Sequence, residues 1–140
     1  VVLTEGGDPD KLGRGFIWEG QIPNCIHQNH IFAVRTYREI LLPEYLAYLV
    51  QSDYGKAYFL SVAHRTTNLA SINSTKLKAF PTLVPNISEQ KRIVTILQIC
   101  DRKIQALEKE IALIDELFHA MLEQLMTGKI STQPLTETYV

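Results

Sequence analysis

From Ser88 to about Thr127 the chain carries neither glycine nor proline, and Gly128 follows. Within that stretch Ile93, Leu97, Cys100, Ile104, Leu107, Ile111, Ile114, Phe118, Met121 and Leu125 are spaced alternately four and three residues apart without a miss. A 3.5-residue apolar repeat keeps one seam of a helix facing a partner, which is the coiled-coil condition. Ser88 is a suitable N-cap, Glu89 suits the positive end of the helix dipole, and Gly128 is a suitable stop. At 1.5 Å per residue such a helix is roughly 60 Å long. The residues before it, about 85, are too few to cover so long a stripe, so the seam needs another helix. Cys100 reads as a small hydrophobe within it. Val94, Ile96, Leu117 and Leu122 widen the stripe at both ends. Asp101, Lys103, Glu108, Glu110 and Asp115 flank its middle without fixing whether a self-pair is parallel or antiparallel.

The residues before the helix read as a small mixed globular unit. Glu5 to Gly15 is dense in Gly, Pro and Asp and reads as loop. Phe16-Ile17-Trp18 suits a strand, a turn around Pro23 follows, and His30 to Arg35 is expected to be a largely buried strand. Pro43 opens a helix through Gln51, and Asp53 is expected to cap a second one. This pair could suggest a helix-turn-helix. The second helix is so apolar and aromatic (Tyr54, Tyr58, Phe59, Leu60) that packing is the better reading. Arg65 to Thr75 reads as a hydroxyl- and amide-rich loop, Lys76-Leu77-Lys78 as one helical turn, and Phe80 to Val84 as an edge strand or extended connector because of Pro81. The fold class is therefore α+β: a mixed globular part at 1–86, one long coiled-coil helix at 87–128 and a tail at 129–140.

With 46% hydrophobic and 21% charged residues the chain is expected to fold. It has no apolar run near the ~18–20 residues a membrane span requires, and no signal peptide is apparent. It starts at Val1 rather than methionine and reads as a piece of something larger. Cys25 and Cys100 lie far apart, which fits reduced thiols in a cytoplasm. The net charge of −1 says little, but its distribution says more. No acidic residue falls between Asp53 and Glu89, a window holding Lys56, Arg65, Lys76 and Lys78. Either a phosphate-facing surface or an ordinary solvated face would read this way.

No catalytic constellation is evident. Cys25, His27 and His30 lie close together, but they lack a fourth ligand and fit no zinc spacing. Ser61 with His64, and Glu108 with Asp115, have nothing around them to form a catalytic group. Gly6-Gly7 and Gly13-x-Gly15 read as turn glycines rather than a phosphate loop.

Three segments carry a resemblance: Glu5 to Gly15, Asn29-His30-Ile31-Phe32, and Thr66 to Asn73. They resemble the target recognition domains of type I restriction-modification specificity subunits. The junction from Phe80 to Gln90, running into Ile93, is similar to the Pro-Leu-Pro-Pro-Leu-x-Glu-Gln signature that opens the long helix of that family, and Leu125 to Lys129 is similar to its ending. The resemblance covers roughly residues 4–130. It implies a non-catalytic subunit whose recognition domains each read half of a split DNA target, held apart by paired antiparallel helices. Methyltransferase and restriction subunits would dock on this scaffold, in the cytoplasm of a bacterium or archaeon. S-adenosylmethionine, ATP and magnesium would be held only by those partners, with no cofactor in this chain. A helix of this length is expected to span several turns of DNA, and the stripe is expected to self-associate as an antiparallel homodimer.

Within this reading the candidate DNA contacts are Arg65, Thr66, Thr67, Asn68, Ser71, Asn73, Ser74, Lys76 and Lys78, with Lys11 and Arg14 as a second set. Arginine and asparagine can read base edges with paired hydrogen bonds, whereas lysines and hydroxyls mostly hold phosphate. Thr67 to Asn73 could instead satisfy turns and caps inside the domain. Two rival functions stay open: a coiled-coil adaptor whose head binds protein, and an enzyme fragment.

Overall fold

The computed structural model describes residues 1–66 and 68–132. They form an α+β chain that divides into two compact units, 1–96 and 97 onward.

The first unit holds every strand among the described residues. In chain order it contains β1 (Val2–Thr4), β2 (Gly6–Gly7), one 3-10 turn (Pro9–Lys11), β3 (Gly15–Phe16), β4 (Ile31–Ala33), α1 (Pro43–Gln51), α2 (Asp53–Val62), β5 (His64–Arg65), β6 (Ala70–Ser71) and α3 (Ser74–Lys78). The strands make two small antiparallel sheets, ordered β3-β1-β4 and β2-β6-β5. Glu5 links them: its N–H donates to the His30 carbonyl at 2.9 Å, and its own carbonyl accepts from the Ile72 N–H at 2.9 Å.

The core lies between these sheets and the helices, with Leu3, Leu46, Val50, Phe59, Ile72 and Phe80 among its buried side chains. Phe59 is fully buried and stacks on Phe80 with ring centroids 5.1 Å apart. The apolar character of α2 thus serves packing. Gly13 sits at φ +70°, and a Cβ there would lie 2.3 Å from the Phe59 ring, so the position suits glycine twice over.

Several expectations change at the level of local chemistry. Ser52, not Asp53, caps α2, because its hydroxyl accepts from the Gly55 N–H. The strand expected at His30 to Arg35 shortens to β4 and is not largely buried; Ile31 and Ala33 are exposed and Phe32 is half-buried. The expected strand Phe16-Ile17-Trp18 survives only as Gly15–Phe16. The presumed loop at Arg65 to Thr75 is largely a hairpin, β5–β6, followed by α3. Gly6-Gly7, read as turn, is strand β2. Phe80 to Val84 is a connector with no ladder partner.

The long helix α4 runs from Ile87 to Met126, 40 residues. It starts before Ser88: the side chain of Asn86 accepts from the Glu89 N–H at 2.9 Å, and the Asn86 carbonyl accepts from the Gln90 N–H at 3.0 Å, so Asn86 is the N-cap. At its other end Gly128 takes φ +70°, with the Gly128 N–H donating to Leu125 and the Lys129 N–H to Gln124. This is a Schellman closure, which needs a residue that tolerates positive φ. About 60 Å of helix is a little under two turns of B-DNA at roughly 34–36 Å each, not several. Residues 133–140 of the expected tail lie outside the described residues.

Within the first unit, the opening of α4 is held by Gln90, which is completely buried. Its Oε1 accepts from the Leu42 N–H at 2.8 Å, and its Nε2 donates to the carbonyls of Ile40 at 2.9 Å and Pro85 at 2.7 Å. Val94, one turn on, is buried in the core and Ile93 packs against it. Ile93, read as the first seam residue, therefore serves the globular unit. In the second unit Ile104, Leu107, Ile111, Ile114 and Phe118 are 43–66% exposed.

Candidate nucleic-acid interface

Two of the three segments that carry the resemblance, distant in sequence, meet in the second sheet, and His30 of the third borders it although β4 belongs to the first. Gly6 pairs with Ser71 and Gly7 with Ala70. His64 pairs with Ser71 and Arg65 with Ala70. Residues directly opposite in a ladder share a face. Ala70 is buried, so its face turns inward, while Gly6, Ser71 and His64 form the outward row. A shallow depression of about 460 Å³ lies over this sheet, lined by Gly6, Gly7, His30, His64, Thr66, Leu69, Ala70 and Ser71.

Thr66 closes the hairpin, its N–H donating to the Leu69 carbonyl at 2.8 Å. Arg65 stands opposite Ala70 on the inward row, but β5 is the edge strand and its side chain is exposed there. It spends one donor on the Leu60 carbonyl at 2.8 Å, which leaves most of its guanidinium for an outside acceptor. Asn68 and Ser71 are exposed. Thr67 lies outside the described residues.

Lys76 and Lys78 are carried by α3, and the structure explains how so short a helix holds them. Asn73 caps it, its side-chain oxygen accepting from the Lys76 N–H at 3.0 Å. Leu77 packs on the core, and the Tyr58 hydroxyl donates to the Lys76 carbonyl at 2.8 Å. Ser74, Lys76 and Lys78 are exposed, and neither lysine forms an ion pair with the described residues. Asn73 thus has its oxygen committed to a cap, with its amide N–H groups left for other partners.

Lys11 and Arg14 stand differently. Lys11 bonds Asp8 at 2.6 Å and Arg14 bonds Asp10 at 3.3 Å. The hydrogen bond from Lys11, then its charge, holds the Asp8 carboxyl below its ordinary range, and Asp8 in turn raises Lys11. The glycine-rich loop therefore presents locally compensated charge, whereas α3 presents bare cations.

Among the described residues no group of three or more His, Cys, Asp or Glu side chains could hold a metal ion. Among them no helix is long and apolar enough to cross a membrane. The residue that the sequence reading underused is Gln90. It was legible as part of the Glu-Gln signature, but its job required seeing Ile40 and Leu42 brought to it from almost 50 residues away.

The family model for the type I restriction modification DNA specificity domain matches residues 13–116. The chain belongs to that family. A similar protein is the one named as the type I restriction enzyme MjaX specificity subunit of Methanocaldococcus jannaschii, 30% identical over 127 residues. That alignment covers 91% of this chain and 30% of the relative, so the chain spans less than a third of the relative's length. No solved structure matches the chain. The match from Gly13 to Glu116 takes in α1–α3, the β5–β6 hairpin, the Asn86 cap and much of α4 in one family domain.

Proposed function

We propose that this specificity domain reads one half of a split DNA target for a type I restriction-modification complex. Its long helix would hold the reading surface at a set distance from a second one. The observation that carries the reading is the outward surface of β6, the hairpin and α3. There, hydroxyl, amide and basic side chains from an acid-free stretch project from a firmly packed unit. Lys76, Lys78 and Arg65 supply contacts to phosphate or guanine; Asn68, Ser71, Asn73, Ser74 and Thr66 supply hydrogen bonds to bases or backbone, and Thr67, outside the described residues, is a further candidate from its residue type alone. Lys11 and Arg14 join in so far as DNA displaces Asp8 and Asp10.

In this reading the chain is non-catalytic and acts in the cytoplasm. The methyltransferase subunit and, with it, the restriction subunit bind the helical scaffold and hold S-adenosylmethionine, ATP and magnesium. The run Leu97, Cys100, Ile104, Leu107, Ile111, Ile114, Phe118, Met121 and Leu125, half-buried at Leu97, Met121 and Leu125 and exposed at the others, takes a second helix, in this chain by antiparallel homodimerisation. A monomeric mass by light scattering at micromolar concentration would count against that pairing.

The deciding experiment co-expresses the full-length parent with its methyltransferase subunit in a host free of adenine methylation and maps modified adenines. A split motif with a fixed spacer is expected. The exposed stripe on α4 also favours a second reading, a coiled-coil adaptor. Copurification of a complex that leaves no sequence-linked methylation would decide for it.

A further inference from the structure

We propose that the depression over β2, β6 and β5 is a DNA-backbone site in which His30 and His64 grip phosphate in their protonated form. Duplex affinity then depends on pH as well as salt. The inference rests on the DNA-binding reading above and adds two contacts that charge counting at neutral pH passes over.

His64 lies on β5, the outer strand of the sheet, and its neighbours across the ladder are Ser71 and then Gly6. His30 stands on the other side, its carbonyl bonded to the N–H of Glu5, the residue before β2. With β2 and β6 between them, at about 4.8 Å per strand, the two residues lie roughly 10–15 Å apart across the depression. Both are exposed, and neither side chain has a hydrogen-bond or ion-pair partner among the described residues. Glycine, alanine and leucine also line the depression, which suits a deoxyribose. A Cβ at Gly6 would come within 3.2 Å of the Ser71 side chain, whereas Gly7 opens onto free space. The Ser71 hydroxyl is at hand as a donor, whereas that of Thr66 donates to the Leu69 carbonyl at 3.4 Å.

Among the described residues no Lys, Arg, Asp or Glu lines the depression. Around it the charged residues are Glu5 between the sheets, Arg65 beside His64, and Asp8, Asp10 and Lys11 on the 3-10 turn that packs against β2. Asp8 is already paired with Lys11. A lining of imidazoles and hydroxyls without a carboxylate favours an anion. Histidine is the side chain whose ordinary titration falls between pH 5 and 8. A nearby phosphate favours imidazolium, so binding takes up protons and tightens as pH falls.

The test is anisotropy of a short mixed-sequence duplex with the full-length polypeptide, titrated with salt at about pH 6 and about pH 8. Each imidazolium–phosphate contact steepens the slope of log K against log salt by about 0.9, so the pair adds up to about 1.8 at the lower pH. The double variant His30→Gln with His64→Gln, which keeps neutral side chains of similar reach, is expected to lose this increment and retain binding at the higher pH. His27→Gln and His119→Gln are expected to keep it. A slope independent of pH, or a pH effect that survives the double variant, overturns the proposal and leaves the DNA-binding reading standing. Absence of duplex binding at either pH overturns both.

Discussion

Replacing Gln90 with methionine removes three hydrogen bonds from a fully buried position while keeping a long unbranched side chain. The Leu42 N–H and the Ile40 and Pro85 carbonyls lose partners that stood at 2.8, 2.9 and 2.7 Å. Each bond contributes about 1 kcal/mol net, and a buried group left unpaired costs about 1–3 kcal/mol. Burial of the thioether offsets some of this, so about 3 kcal/mol of destabilisation is expected, and about 5 kcal/mol if no water reaches the site. The assay is urea unfolding followed by Trp18 fluorescence. With a slope of about 1–2 kcal/mol per molar urea, the midpoint should fall by about 1.5–3 M. Gln90→Glu should be worse near neutral pH, since a carboxylate would face two carbonyls. Burial raises such a carboxyl's pKa, so the penalty should grow as pH rises through the raised value and relax as pH falls below it. A loss under about 1 kcal/mol for the methionine variant, with an unchanged slope, would refute the idea that Gln90 anchors the start of α4.

Gly13→Ala combines a left-handed backbone cost of about 1–2 kcal/mol with a clash against Phe59 of about 1–3 kcal/mol, so a loss of about 2–5 kcal/mol is expected in thermal melts. A melting point near that of the parent chain would show that the turn adapts. Lys76→Ala with Lys78→Ala should reduce the salt slope of duplex binding by about 1.8, one increment of about 0.9 per phosphate contact, with the fold unchanged. An unchanged slope removes both lysines from the interface. Asp8→Asn should return Lys11 toward its ordinary pKa, read by NMR, and strengthen duplex binding by uncovering its charge. Because Asp8 is lowered in the folded chain, the support this exposed pair gives is present above the ordinary carboxylate range and fades as pH falls through the lowered value. Weaker binding by the Asn variant would exclude Lys11 as a contact.

The long helix was legible from residue order alone because its evidence is local: no glycine or proline, an unbroken four-three repeat, and Gly128 where a Schellman closure needs it. The Pro43 helix and the packing role of α2 were legible for the same reason, since periodicity and proline chemistry act within a few residues. What misled was short-range ambiguity. Asn86 and Ser88, or Ser52 and Asp53, are all competent caps, and which one is used depends on where the chain enters the helix.

The candidate interface was legible as residue types but not as a surface. Lys76 and Lys78 stood out because no acid accompanies them, whereas the compensation of Lys11 by Asp8 became visible only once the 3-10 turn folded the two side chains into contact. Tertiary structure alone decided that Gly6-Gly7 pairs with Ala70-Ser71, that His30 and His64 flank one depression, and that Gln90 satisfies a chain segment almost 50 residues away. Helix periodicity and capping are written in neighbouring residues, but ladder pairing and burial are settled between segments whose separation the sequence does not encode. Two-residue strands leave almost no alternation to read, so their partners come from whichever backbone groups the core leaves in need of a hydrogen bond.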